Sequence, residues 1–173
     1  MAQHKKRDGV SASDAIRALQ GTEYREHAKL LYMMHELSRL ISTHVDRAMT
    51  DQNLTHAQWW ALMHVYQHEG ATQTELAEIL QMGRPAAGKL LERLEAKRWI
   101  DRRPDPANSR ARRVYLREAA VPVFELMTTE GRQLFQDFLV GVSPAEEARL
   151  MSGLRKIKAN AEQAERRLKT ARR

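Results

Sequence analysis

The chain has 173 residues, near the size of one ordinary domain, and its 42% hydrophobic and 29% charged residues exclude a disordered chain and disfavour a two-domain enzyme. Its formal charge of +7, with a sequence pI of about 10.0, points to a polyanionic partner, because each Lys or Arg laid on a phosphate releases condensed counterions. The absence of cysteine removes disulfides, thiol redox sensing and thiolate metal sites, and the wealth of Leu, Ala, Glu, Arg and Met favours helices over sheets.

Residues 1–22 read as an N-terminal arm. Its Lys5, Lys6 and Arg7 have no apolar run behind them, so neither a signal peptide nor a membrane anchor is expected, and the expected compartment is the cytoplasm. Two readings of the arm stand side by side: its basic residues touch DNA, or Ile16 and Leu19 mark a short helix packing on a dimer. From Glu23 to Met49 the residues Leu30, Met34, Leu37, Ile41 and Val45 recur at helical spacing and predict a long first helix. Thr55 followed by Gln58 is a capping-box signal; Trp59, Leu62, Met63 and Tyr66 then stripe a short second helix that stops at Gly70. Thr72 and Glu75 repeat the signal ahead of a third helix carrying Leu76, Ala77, Ile79 and Leu80, which Gln81, Met82 and Gly83 interrupt.

A fourth helix is predicted from Arg84 to Lys97, with Ala87, Leu90, Leu91 and Leu94 on one face and Pro85 in its first turn, where a missing N–H costs nothing. Two β-prone runs, Trp99 to Arg103 and Arg112 to Leu116, flank the turn formers Pro104 to Ser109 and predict a hairpin. A fifth helix carries Phe124, Met127, Leu134, Phe135 and Phe138. Ser143, Pro144 and Glu146 announce a sixth, striped by Leu150, Leu154, Ile157 and Ala161.

Two short helices around a tight turn, followed at once by a basic hairpin, have the order of a winged helix-turn-helix, whose second helix enters the DNA major groove. Opposite its leucines, the fourth helix presents Pro85, Gly88, Lys89 and Arg93, with Arg84 in the first turn. Small residues there let a backbone approach DNA, and the cations reach phosphates or guanine edges. Arg98, Arg102, Arg103, Arg110, Arg112 and Arg113 load the hairpin, which would repel itself without a polyanion beside it. A plain solvated helix face is the competing reading of the helix cations.

From about Leu30 onward the chain resembles the MarR family of regulators. The stretches that carry the resemblance are Thr74-Glu75-Leu76-Ala77 through Leu91-Glu92-Arg93-Leu94-Glu95, then Trp99-Ile100-Asp101-Arg102 and the hairpin. The resemblance implies a mainly α fold with a small β-hairpin wing: a winged helix-turn-helix at 55–117 with dimerisation helices at 23–49 and 118–169, all within one domain, 23–173. Where the family has Asp-x-Arg at the wing tip, this chain has Asn108, Ser109 and Arg110, so Arg110 matches the residue that enters the minor groove. Asn108 offers its partner an amide without charge assistance. Gly88 stands where a serine or threonine is common. With Arg103 and Arg112 these residues complete the expected DNA-binding set.

The resemblance further implies a homodimer on a pseudo-palindromic operator, repression, and release by a small molecule such as an aromatic carboxylate or an acyl-CoA thioester. The implied effector pocket is lined by Met34, His35, Ser38, Arg39, Trp59, Trp60, Met63 and Met127, although helical stripes of Met and Trp commonly just fill a core. His35, Ser38 and Arg39 lie within about one helical turn and could pair a buried anion. Two other readings remain open. One is an architectural DNA binder without an effector; the other is a metal-responsive regulator, suggested by His64 and His68 four residues apart. No glycine-rich phosphate loop, nucleophile elbow or paired-carboxylate motif is present, so neither an enzyme nor a cofactor is expected.

Overall fold

The computed structural model describes residues 11–171, so Lys5, Lys6 and Arg7 lie outside the described residues. The chain divides into two compact units, one ending at Val121 and the other beginning at Pro122.

The first unit opens with helix α1, Ala12–Ala48. It starts well before the expected Glu23, because Ser11 caps it, accepting from the Asp14 amide at 3.1 Å. Residues 11–20 are exposed throughout, so this stretch has no buried stripe to reveal it. Gly21, at φ 62° and ψ 174°, interrupts the helical run close to the boundary read from the apolar period. A single 3-10 turn, Thr50–Gln52, leads to α2, His56–Gln67. The capping box is formed: the Gln58 amide donates to Thr55 Oγ1 at 3.3 Å, and the Thr55 amide donates to Gln58 Oε1 at 3.2 Å. Asp46 of α1 also accepts from the His56 amide at 2.6 Å, tying the two helices together at the positive end of α2.

The second capping box, Thr72 with Glu75, starts α3, Gln73–Ile79. The turn through Gln81, at φ 53°, then delivers Gly83 as N-cap of α4, Arg84–Ala96. Strands β1, Ile100–Asp105, and β2, Asn108–Leu116, pair antiparallel from Ile100 opposite Leu116 to Asp105 opposite Asn108. The hairpin is longer than its apolar content suggests, because the ladder continues through polar residues and leaves only Pro106 and Ala107 as the tip. An isolated bridge between Thr72 and Arg113 joins the strand to the loop before α3: the Gly70 amide donates to Val114 O at 2.8 Å and the Val114 amide to Ala71 O at 2.9 Å.

The core of this unit gathers Leu62 and Val65 of α2, Leu76 of α3, Leu91 and Leu94 of α4, Ile100 of β1 and Val114 of β2, all fully buried. Burying each such aliphatic side chain contributes about 1.5–3 kcal/mol. This shared core fixes the orientation of α4 and the root of the hairpin.

Helix α5, Val121–Phe138, begins at the last residue of the first unit, and α6, Pro144–Ala171, follows it in the second. Gly141, at φ 79°, turns the chain between them, and Ser143 with Glu146 forms the expected capping interaction. Among the described residues, no helix is long and apolar enough to cross a membrane.

Candidate nucleic-acid interface

Helix α4 is two-faced. Ala87, Leu90, Leu91 and Leu94 are buried, whereas Arg84, Pro85, Lys89 and Arg93 are exposed and Gly88 half-buried between them. Among the described residues, the side chains of Arg84, Lys89 and Arg93 have no hydrogen-bond or ion-pair partner. Three cations thus stand unpaired on the exposed side of one helix, the arrangement that lets phosphate contacts form without first breaking internal ones.

The hairpin arginines do not act as one block. The Arg102 guanidinium pairs with Glu95 of α4, Nε to Oε2 at 2.8 Å, and stands 3.9 Å from Glu92. This guanidinium holds the Glu95 carboxyl below its ordinary range. Arg113 reaches Asp105 Oδ2 at 2.9 Å through Nη2 and donates to Gly70 O at 2.8 Å through Nη1. The excess positive charge read along the hairpin is therefore partly neutralised inside the fold, and Arg102 and Arg113 are structural. Arg103 is exposed, donates to Asp101 at 3.0 Å and lies 4.8 Å from the centre of the Tyr115 ring. Arg112 is exposed and donates to Arg102 O at 3.4 Å. The side chain of Arg110 has no partner among the described residues, and the residue is exposed.

The end of the hairpin is organised by a carboxylate that sequence reasoning counted only as a turn former. Asp105 is 7% exposed, accepts from the Ala107 amide at 2.8 Å and pairs with Arg113. The Ala107 amide foremost, with Arg113 and the Asn108 backbone, holds its carboxyl below the ordinary 3.8. The one available signal was the Asx-turn spacing from Asp105 to Ala107. Asn108 Oδ1 accepts from the backbone amide of Arg110 at 3.1 Å, so it fixes the strand at Arg110 rather than gripping the guanidinium. Both residues belong to β2 and not to the loop.

Lys97, also missed, fastens the end of α4. Its Nζ donates to Asn53 O and, at 3.1 Å, to Gln58 Oε1, and it stands 4.4 Å from the centre of the Trp99 ring. Burial pushes its ammonium below the usual lysine range. The lysine spends its charge on joining α4 to the start of α2.

The expected effector-pocket residues are spread over three helices. On α1, Met34 is half-buried while His35, Ser38 and Arg39 are exposed; on α2, Trp59 and Met63 are half-buried and Trp60 is exposed. Met127 is buried in α5 of the other unit. No hydrogen bond or ion pair joins the α1 group to the α2 group among the described residues. His64 and His68 stack with ring centres 6.1 Å apart, and Trp60 meets His64 edge-on at 4.6 Å. Among the described residues, no group of three or more His, Asp or Glu is placed to hold a metal ion.

Helix, tight turn, cation-bearing helix and hairpin on one core define a winged helix-turn-helix DNA-binding protein. The sequence profile of the MarR family matches residues 52–111, from the end of the 3-10 turn into β2. The HTH-type transcriptional regulator YybA of Bacillus subtilis (strain 168), itself uncharacterised, is 27% identical over 112 residues, 65% of this chain and 75% of that protein. The crystal structure of the transcriptional regulator SlyA superposes with a TM-score of 0.71 at 25% identity, covering 78% of this chain and 94% of that one. MepR of S. aureus, solved in complex with DNA, gives 0.67 at 24% identity over 75% and 96%. The resemblance read from the sequence is borne out: residues 52–111 match the MarR family, and the chain shares the fold of these regulators.

Proposed function

We propose that the protein is a homodimeric repressor that grips a pseudo-palindromic operator with α4 in the major groove and the hairpin at the minor groove, and that a small molecule releases it. The observation that carries this reading is the set of exposed, unpartnered cations on α4, Arg84, Lys89 and Arg93, together with Arg110 on the hairpin. Where the fold needs a cation it pairs it, as with Arg102 and Arg113. The unpaired ones are spare for a polyanion. A DNA partner supports the cytoplasm as the compartment.

Dimerisation is supported by apolar residues left exposed on the long helices, among them Leu30, Leu37 and Leu40 of α1 and Leu150 and Leu154 of α6. Exposed apolar rows of this kind mark association surfaces. A two-fold pair presents two recognition helices about one DNA turn, roughly 34 Å, apart. For the effector, the exposed His35, Ser38 and Arg39 of α1 supply donors for a carboxylate or thioester, and Trp59, Trp60 and Met63 of α2 offer apolar surface. A ligand that favours the wrong spacing of the two helices weakens DNA binding by the same factor that DNA weakens the ligand.

The test is fluorescence anisotropy of the purified protein on the DNA upstream of its own gene and on a scrambled duplex, each at two salt concentrations. A preference of about a thousandfold or more establishes specific regulation and gives an assay for release by candidate acids. Equal, steeply salt-dependent binding to both duplexes leaves phosphate contacts alone and makes the protein an architectural binder. Arg39→Ala should weaken release by the acid; an unchanged effector affinity removes Arg39 from the pocket.

A further inference from the structure

Glycine in a helix interior is the poorest choice after proline, so a mid-helix glycine calls for a reason. At Gly70, between α2 and α3, the reason is internal. Gly70 has φ +83°, and a Cβ added there would lie 3.4 Å from the Tyr115 ring. Gly88 is different. It sits in the middle of α4 with helical geometry, and a Cβ built on it meets nothing within 4 Å. Neither backbone conformation nor packing within the described chain requires glycine at this position.

Its place on the helix supplies an external reason. Arg84 and Pro85 lie one turn before Gly88 and Glu92 one turn after, with Lys89 adjacent, so the missing side chain leaves a notch in the face that carries the unpaired cations. One wall of that notch is the Pro85 ring, which is apolar, exposed and rigid. In the major groove the apolar feature of matching size is the C5-methyl group of thymine. We infer that Gly88 is a specificity-determining position at which the α4 backbone closes onto the DNA and the notch beside Pro85 takes a thymine methyl. This rests on the reading of α4 as the recognition helix.

The experiment uses the full chain, its Gly88→Ala variant, and the duplex that the wild type selects from a random-sequence pool. Selection of no preferred duplex overturns the recognition-helix reading itself, and this inference with it. Given a preferred duplex, thermal melting of the variant without DNA should rise by roughly 2–4 °C, the gain expected for alanine over glycine in a helix of a chain this size. Its affinity for the duplex should nevertheless fall about tenfold or more, as overpacking of a close contact does. Deoxyuridine is then placed at each thymine in turn, which deletes one methyl group. At one thymine in each half-site the wild type should weaken while Gly88→Ala recovers, an opposite response that lost helix stability cannot produce. A variant that binds as tightly as the wild type, or that no deoxyuridine relieves, overturns the thymine-methyl notch and leaves the recognition helix standing.

Discussion

Asp105 links the chemistry of one side chain to the aim of the hairpin. Its carboxylate closes the tip through the Ala107 amide and holds Arg113, which in turn holds Gly70 O, so one buried anion connects the hairpin to the loop before α3. Because its folded value lies below the ordinary 3.8, its contribution to stability is complete above that value and is lost as the pH falls through the folded one. Asp105→Asn should therefore leave helical circular dichroism at pH 7 intact and reduce the acid sensitivity of the urea midpoint below about pH 4. Operator affinity at pH 7 should fall by roughly fivefold or more, the lower end of what one lost base contact costs. An unchanged affinity would separate the Asp105 pair from the positioning of Arg110.

At the scale of elements, the joint at Gly70 decides whether the hairpin is a rigid extension of the core or a loose ribbon. Its amide and carbonyl are both engaged, by Val114 O and Arg113 Nη1, and its φ of +83° suits no side chain well. Gly70→Ala should cost about 1–2 kcal/mol in urea denaturation, the penalty of a left-handed residue. The added methyl would lie 3.4 Å from the Tyr115 ring, an ordinary contact, so the backbone conformation carries the cost. Operator affinity should fall with it, since a two-stranded ribbon is marginal by itself. A mutant as stable as the parent would mean that the loop re-forms around the new residue. The capping boxes at Thr55, Thr72 and Ser143 were legible in the sequence because the residues that make them are three apart. The extension of α1 back to Ala12 was legible only as one of two readings of the arm, the short helix marked by Ile16 and Leu19, because an exposed stretch leaves no longer apolar period.

For the whole molecule, an excess of +7 per chain makes DNA binding strongly salt-dependent, and a dimer doubles the charge. Replacing Lys89 by alanine should lower the slope of log affinity against log salt by about one per protomer while leaving the order of preferred sequences unchanged. A change of preference instead would assign Lys89 to a base edge. Native mass spectrometry at micromolar concentration should find two chains, because the exposed leucines of α1 and α6 need a partner surface. A monomer there would leave two recognition helices without a fixed spacing and end the palindrome reading.

The sequence by itself determined the order of the helices, the hairpin after the second of two short helices, and the basic outer face of α4. Helix caps, apolar periods and turn residues act over three or four positions, so a local reading suffices for them. Tertiary structure decided which cations remain available. Arg102 and Arg113 look like Arg110 in the sequence. What separates them is Glu95, seven residues from Arg102, and Gly70, 43 residues from Arg113, brought alongside by the core. Lys97 is committed in the same way to Gln58, 39 residues earlier. A charge acquires its role from the partner the fold brings within about 3 Å, and no local pattern carries that information.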